Sequence, residues 1–179
     1  MVPAINIVLT AIWLNCFPAM DMDIAKTLYP DKNNENAIVH TVSKKDVYNA
    51  LEGNSADQID NVLMGLNKAA PLLPVNAYKG ALYMKKASML NALNQKLNTF
   101  NQGKDLLEAE INKQHSNAEL RFLRLIIQEN APAFLKYNND MQTDKNVIML
   151  NYKTLDEELK NIINNYANTS KVLTPSDLY

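Results

Sequence analysis

The sequence predicts an all-α fold, a single-domain antiparallel array of about seven helices. One pattern recurs along the chain: a Ser, Thr or Pro start signal, apolar residues every three to four positions, and a Gly, Asn or Pro break. Valine and isoleucine follow the same helical spacing, and no stretch of five residues alternates without a breaker, so no strand is predicted. The 179 residues, 47% of them hydrophobic, suit one globular domain.

The first two predicted helices are short and must fold back tightly on each other. Ser43 begins a helix that runs through Glu52 and ends at Gly53. Ser55 begins the next helix, and Gln58, three residues later, predicts a capping box. Its buried face is predicted to comprise Ile59, Val62, Leu63 and Leu66.

A longer helical pair follows the break at residues 70–74. The third helix is predicted from Val75 to about Leu90, and the fourth from about Leu93 to Lys113. The fourth has an apolar stripe at Leu93, Leu97, Phe100, Leu107 and Ile111. Gly103 lies beside that stripe. Because glycine within a helix costs about 1 kcal/mol relative to alanine, its presence predicts that the third helix approaches closely there.

The remaining segments are also predicted to be helical. Ser116 and Glu119 predict a capping box that begins a fifth helix, which runs to about Glu129. Pro132 begins a short sixth segment. Further helices are predicted after two threonines, Thr143 and Thr154, at about residues 143–151 and 154–167, and a last turn begins at Thr174 and Pro175.

The N-terminal region predicts export. Ile5 to Phe17 carries no charge over about thirteen residues, which is short for a bilayer span but suits the core of a signal peptide. Residues 1–19 are therefore predicted to be a signal peptide, 20–42 a polar lead-in and 43–179 the α-helical domain. A periplasmic or extracellular location follows, with no stable membrane span after the signal is removed.

Two alternatives remain open for this region. No Lys or Arg precedes Lys26, so the usual positive start of a signal peptide is missing. The first alternative is that the apolar segment is an N-terminal element buried in the fold and not a signal peptide. Alternatively, Cys16 carries a lipid anchor, but Asn15 occupies the position where a small residue is preferred.

Composition argues against several classes of function. A formal net charge of -1 provides no positive field for nucleic acid. The four glycines are dispersed, so neither a phosphate-binding loop nor a dinucleotide fingerprint is present. His40 and His115 lack the spacing and flanking glutamate of a zinc hydrolase. We therefore predict no metal, no cofactor and no enzymatic activity.

The predicted fifth helix is the most informative segment. Asn117, Arg121, Arg124 and Gln128 form one narrow polar strip, and apolar residues cover most of the circumference, so the helix should be buried on several sides. Arg121 and Arg124 are the only arginines in the protein. They are candidates for binding an anion or an acidic peptide. The interpretation we favour is that they pair with acidic side chains on adjoining helices.

Lys104 and Tyr78 are further candidates for binding a ligand or partner. Lys104 falls within the apolar stripe of the fourth helix, where it either keeps its ammonium group in solvent or meets Glu119 or another carboxylate. Glu119 itself is explained by the capping box with Ser116. Tyr78 is one of eight tyrosines, which at helical spacing either line a groove for a peptide or pack with their hydroxyl groups satisfied.

Two resemblances add to this interpretation. The hairpin from Val75 to Lys113, with small residues at Gly80, Ala81, Ala87 and Gly103, is tetratricopeptide-like in part. Residues 75–170 resemble a family of small, exported, uncharacterised helical proteins of Gram-negative bacteria. This resemblance rests on FNQGKDLLEAEI (100–111), NAELRFLRLIIQENAPAFLKYN (117–138), Asp144 and Lys145. It implies an all-helical fold and a signal peptide, but it transfers no catalytic or binding residue.

These observations leave two functional hypotheses. The leading one is an exported, non-enzymatic protein that binds another envelope protein or a peptide through a helix face or groove. The alternative is a binder of a small anionic ligand, or an enzyme, that uses a pocket near Arg121, Arg124 and Lys104. Convergence of these cations on an open pocket favours the alternative, and their neutralisation inside the fold favours the first hypothesis.

Overall fold

Seven α-helices joined by short connections make up residues 42–68 and 74–179, the part of the chain that the computed structural model describes. No strand occurs in these two ranges, so the all-α prediction is confirmed. The helices are α1 (Lys44–Glu52), α2 (Ala56–Leu66), α3 (Val75–Met89), α4 (Leu93–Lys113), α5 (Ala118–Asn130), α6 (Met141–Asn151) and α7 (Glu157–Ala167). Three 3-10 turns accompany them: Ala133–Leu135, Tyr152–Thr154 and Pro175–Leu178. The predicted signal peptide and polar lead-in lie outside the described residues, apart from Val42.

The first helices begin where the sequence predicts. The Ser43 side chain accepts a hydrogen bond from the backbone N–H of Asp46, and the Asp46 carboxylate accepts one from the Ser43 N–H at 2.9 Å. This capping box satisfies N–H groups that have no partner within the helix. The Ser55 hydroxyl likewise accepts from the Gln58 N–H at 3.2 Å, and Gly53 ends α1.

The start of α5 differs from the prediction. The cap is Asn117, whose side-chain oxygen accepts from the N–H groups of Glu119 and Leu120 at 3.0 and 3.3 Å. Asparagine caps as well as serine, and Asn117 stands one residue nearer the apolar run. The predicted capping box between Ser116 and Glu119 is therefore wrong, and the Glu119 side chain binds elsewhere.

The start of α7 also differs. Thr154 ends a 3-10 turn, and Asp156 caps the helix by accepting from the Leu159 N–H at 2.8 Å. Aspartate is one of the strongest caps because its carboxylate also interacts with the positive end of the helix dipole. The helix α6 begins at Met141, two residues before the predicted position.

The helices α3 and α4 form a hairpin whose backbones meet at two glycines. A Cβ atom on Gly80 would lie 2.7 Å from the Gly103 carbonyl oxygen, and one on Gly103 would lie 2.5 Å from the Gly80 carbonyl oxygen. Only residues without a side chain permit this approach. The close contact predicted from Gly103 is confirmed, whereas tetratricopeptide-likeness stays a prediction.

The helix α5 packs against α3, α4 and α6. Ten of its thirteen residues are buried, including Arg121 and Arg124. Its Phe122 ring stacks on Tyr48 of α1 at 5.4 Å between centroids and meets Tyr166 of α7 edge-on at 5.3 Å. The predicted burial of this helix on several sides is confirmed, and it places both guanidinium groups inside the fold.

Candidate functional site

Arg121 and Arg124 share one buried carboxylate. Asp144 on α6 is 0% exposed, and Arg124 holds it with two N–H groups, from Nε to Oδ2 and from Nη2 to Oδ1, both at 2.7 Å. Arg121 donates from Nη1 to Oδ1 at 3.1 Å. Bidentate binding of this kind gives a short, directional ion pair.

Each of the three guanidinium nitrogens of both arginines donates a hydrogen bond inside the protein. Arg121 donates from Nε and Nη2 to the His115 carbonyl oxygen at 2.9 and 2.7 Å. Arg124 donates from Nη1 to Glu108 on α4 at 2.8 Å, and Glu108 also accepts from the Tyr137 hydroxyl at 2.6 Å. These bonds join α4, α5, α6 and two connecting segments. The arginines therefore stabilise the packing of helices and present no free donor fork to a ligand.

The protonation of this cluster reflects both burial and pairing. Burial acts to lower the pKa of Arg124, but the hydrogen bonds and charge of Asp144 outweigh it, and the pKa lies above its ordinary value. Burial raises the pKa of the Asp144 carboxyl, and the hydrogen bonds and charges of the two arginines oppose that shift. Burial disfavours the charged form of each group, and the opposite charge of its partner favours it.

A second internal cluster surrounds Glu119. The Tyr78 hydroxyl donates to Glu119 Oε1 at 2.5 Å, and the Lys44 ammonium lies 3.2 Å from Glu119 Oε2. Lys44 also binds Asp156 at 2.8 Å. Tyr78 is fully buried, so it does not line a surface groove. Burial is the main cause of its raised pKa, and the negative charge and hydrogen bond of Glu119 act in the same direction.

Lys104 lies apart from both clusters. Its side chain is exposed, and its ammonium group sits 5.5 Å from the centroid of the Tyr137 ring, a cation–π geometry. It forms no ion pair with Glu119, and within the described ranges no carboxylate lies within 4.0 Å of it. The cations proposed from the sequence thus do not converge on one open pocket.

Potential metal ligands are the remaining class of candidate site in the described ranges. Residues 42–68 and 74–179 hold no group of three or more His, Cys, Asp or Glu side chains placed to bind a metal. His115 is exposed, and it contributes its backbone carbonyl to Arg121. The four cavities known among the described residues include no titratable group of either internal cluster in their linings.

The surface has two features that sequence reasoning missed. The first is the Leu150 patch, a depression lined by the apolar or aromatic residues Met149, Leu150, Leu178 and Tyr179 and by the polar residues Asn146, Lys153 and Asp177. Leu150 is 82% exposed and Tyr179 is 84% exposed. Large apolar side chains that cluster in solvent are often found at interaction surfaces.

The second is the Phe134 groove, which encloses about 390 Å³ at the end of the α3–α4 hairpin. Its walls come from the last turns of α3, the first two turns of α4, and the end of α5 with the 3-10 turn after it. Phe134 is 69% exposed and Leu93 is 61% exposed at its edges. Phe134 follows Pro132 in a turn too short to show helical periodicity, so no sequence pattern indicated the groove.

Comparison of the chain with protein-family models, with curated proteins and with solved structures gives no match. The resemblance to small exported helical proteins stays a prediction. Among the described helices, none combines the length and the apolar composition that crossing a bilayer requires.

Proposed function

We propose that the protein is an exported, non-enzymatic helical module of the cell envelope that acts by binding a partner protein through the Leu150 patch. The observation that carries this proposal is the anatomy of the patch. Leucine, methionine and tyrosine side chains line it together with an amide, an ammonium and a carboxylate. Protein interfaces combine the same residue types, because they have an apolar core enriched in aromatic residues and methionine and a polar rim.

The internal clusters support binding over catalysis. Both arginines are paired with carboxylates of the fold, and Arg121 also donates to a backbone carbonyl group. An anion would have to displace Asp144 to reach them, and a displaced carboxylate without a partner is costly in a buried site. The alternative of a small anionic ligand or an enzyme at Arg121, Arg124 and Lys104 therefore gains no support from the geometry.

The polar rim would set orientation and specificity. Lys153 lines the patch as a cation, and Asp177 lines it as an anion that is held by Lys145 at 2.8 Å. Rim charges of both signs suit a partner with mixed charge, and they act mainly on association rate and register. The apolar centre would supply most of the binding energy, as aromatic anchors do in other interfaces.

Site-specific photo-crosslinking in cells of a Gram-negative host tests the proposal. A photo-reactive amino acid replaces Leu150 in one variant and Met64 in a control, because Met64 is also apolar and 57% exposed but lies on α2 outside the patch. We expect one discrete adduct from position 150 that is absent from position 64 and weakened by Tyr179→Ser. Equal labelling from both positions, or insensitivity to Tyr179→Ser, would contradict the proposal.

A measurement of self-association tests whether the partner is a second copy of this chain. If a second copy of this chain is the partner, the purified protein should sediment as a dimer, and the adduct should have twice the mass of the chain. Leu150→Lys should then return it to the monomer. A monomer that still gives a discrete adduct in cells indicates a different protein as the partner.

Export is tested separately by N-terminal sequencing of the protein recovered from the periplasm and the medium. Removal of the predicted signal peptide should give a new N-terminus between Asn15 and Met20. Recovery of an intact Met1 in the cytoplasm alone would contradict export without touching the binding proposal.

A further inference from the structure

The Phe134 groove has the size and lining of a site for a small ligand. Small-molecule sites enclose about 300 to 1,000 Å³ and are mostly apolar, with few polar groups. At about 390 Å³ the groove lies at the lower end of that range. Its apolar surface comes chiefly from Met84, Leu97, Phe100, Ile127 and Leu135. A ligand that fills it must therefore have an apolar body of modest size.

The charged groups of the groove all have one sign. Lys85 and Lys96 line it, and no carboxylate of the described residues does. Both lysines are half-buried, and neither forms an ion pair with residues 42–68 or 74–179. The neighbouring Lys86, by contrast, is bound by Asp60 at 2.5 Å. The groove thus holds two partly desolvated cations that lack a counter-ion within the part of the chain described.

Desolvation without compensation makes Lys85 receptive to an anion. Burial lowers the pKa of Lys85, and no neighbouring carboxylate acts against the shift. A bound anion would restore the lost solvation of the ammonium group and would gain strength from the apolar surroundings. A neutral or cationic ligand would leave the two lysines without a partner and would add to their desolvation.

The exposed apolar side chains at the edges of the groove favour a ligand with an apolar chain, which would cover them. Phe134 and Leu93 stand largely in solvent on opposite segments, the 3-10 turn and the start of α4. Covering them with a ligand removes apolar surface from water, which is favourable in proportion to the area. Nucleotides and sugars fit poorly, because Ser88 and Asn130 are the only uncharged polar side chains in the lining and both already donate to backbone carbonyl groups.

We propose that the Phe134 groove binds a long-chain carboxylate, with the alkyl chain against Phe100, Leu97 and Phe134 and the carboxylate between Lys85 and Lys96. The groove shares no lining residue with the Leu150 patch. The two proposals are therefore independent, and either can fail alone.

Calorimetric titration of the purified full chain with dodecanoate, below its micellar concentration, tests the site. We expect saturable binding of one molecule per chain. Each buried methylene contributes about 0.8 kcal/mol, which corresponds to about a fourfold change in affinity. Decanoate, which is two methylenes shorter, should therefore bind about 15-fold more weakly. Dodecyltrimethylammonium, with the same tail and the opposite charge, should not bind.

Charge variants locate the head group. Lys85→Gln and Lys96→Gln should each weaken dodecanoate at least fivefold, and Lys79→Gln, a half-buried lysine of α3 outside the groove, should leave it unchanged. Thermal unfolding of each variant should stay near that of the natural chain, because neither groove lysine makes an ion pair within the described residues. Phe134→Ser should weaken binding with little change in stability, since this side chain is already exposed.

Three results would overturn the proposal. One is unsaturable uptake of dodecanoate, which would indicate partition into surface patches. Another is the absence of charge selectivity, which would exclude a role for the groove cations. It would appear as equal affinity for dodecyltrimethylammonium, or as an equal loss of dodecanoate affinity in all three lysine variants. The third is binding to phosphatidylglycerol vesicles without binding of monomeric dodecanoate, which would assign the groove to a membrane surface.

Discussion

Replacing Asp144 by asparagine removes one negative charge from a site where two guanidinium groups are buried. The carboxylate accepts three N–H groups at 2.7 to 3.1 Å and is 0% exposed. Breaking a buried ion pair by removing one partner costs about 3 to 5 kcal/mol, because the remaining charge is left uncompensated. Arg121 keeps the His115 carbonyl and Arg124 keeps Glu108. We therefore expect Asp144→Asn to lower the free energy of unfolding by about 3 kcal/mol, the lower end of this range.

Urea unfolding followed by far-UV circular dichroism measures this cost. With a slope of about 2 kcal/mol/M, the midpoint should fall by about 1.5 M. The melting temperature should fall by about 6 to 12 °C for a chain of this size. Glu157→Gln is the matched control, because Glu157 pairs with Lys160 at 2.9 Å but is largely exposed. An exposed pair of this kind should change stability by less than about 0.5 kcal/mol.

A double variant tests whether the loss of stability comes from the ion pair between Asp144 and Arg124. If Asp144 acts through Arg124, then Arg124→Gln and Asp144→Asn together should cost less than the sum of the two single changes, because each removes the same interaction. Additive costs would show that the pair is not coupled. A loss below about 1 kcal/mol for Asp144→Asn alone would refute the reasoning, since it would mean that water or a neighbour replaces the carboxylate at no cost.

Three further predictions address the hairpin, the second cluster and the C-terminal turn. Gly80→Ala should destabilise the protein by about 1 to 3 kcal/mol in urea unfolding, since the new Cβ would lie 2.7 Å from a facing carbonyl oxygen. The control Asn98→Ala, on an exposed face of α4, should change the free energy of unfolding by less than about 0.5 kcal/mol. Equal effects of the two substitutions would contradict the close approach of the helices. Tyr78→Phe should lower the free energy of unfolding by about 1.5 kcal/mol through the lost hydrogen bond to a carboxylate. Tyr83→Phe is the control, because the Tyr83 hydroxyl makes no hydrogen bond in the described ranges. An unchanged stability of Tyr78→Phe would show that the hydrogen bond contributes nothing. The pKa of Asp177 is lowered from 3.8 to about 2, chiefly by a hydrogen bond from a lysine, so its stabilisation should be full above about pH 4 and lost as pH falls towards 2. The difference in melting temperature between the natural chain and Asp177→Asn should shrink over that window, and a difference that persists at pH 2 would contradict the shift.

Most of the fold could be predicted because its signals are local. Caps such as Ser43 and Ser55 act within three residues, and the apolar stripe of α4 is visible at a spacing of three to four. The predicted bounds of α4, Leu93 to Lys113, match the structure. The misplaced starts of α5 and α7 arose where two good caps stand close together, because the choice between them depends on which one the packed helix can accommodate.

The partners of the candidate site could be predicted only by class. The polar strip of α5 indicated that Arg121 and Arg124 meet acidic groups on adjoining helices, and the structure confirms this interpretation. It could not indicate Asp144, which lies twenty residues beyond Arg124 and is brought near by packing of α6. The Phe134 groove was missed for a similar reason, because its walls come from three segments and from a side chain in a 3-10 turn.

The buried ion cluster also fixes the surface that we propose for binding. Asp144 and Ile148 are one helical turn apart on α6, and both are 0% exposed, so they define the inward face of that helix. Leu150 lies two residues beyond Ile148, which turns it by about 200° from that face and into solvent. Two guanidinium groups bound to Asp144 prevent α6 from rotating to bury Leu150, even though burial of a leucine is favourable by about 2 kcal/mol. The arginines thus take no part in contact with a partner, but they determine which side chain of α6 a partner would meet.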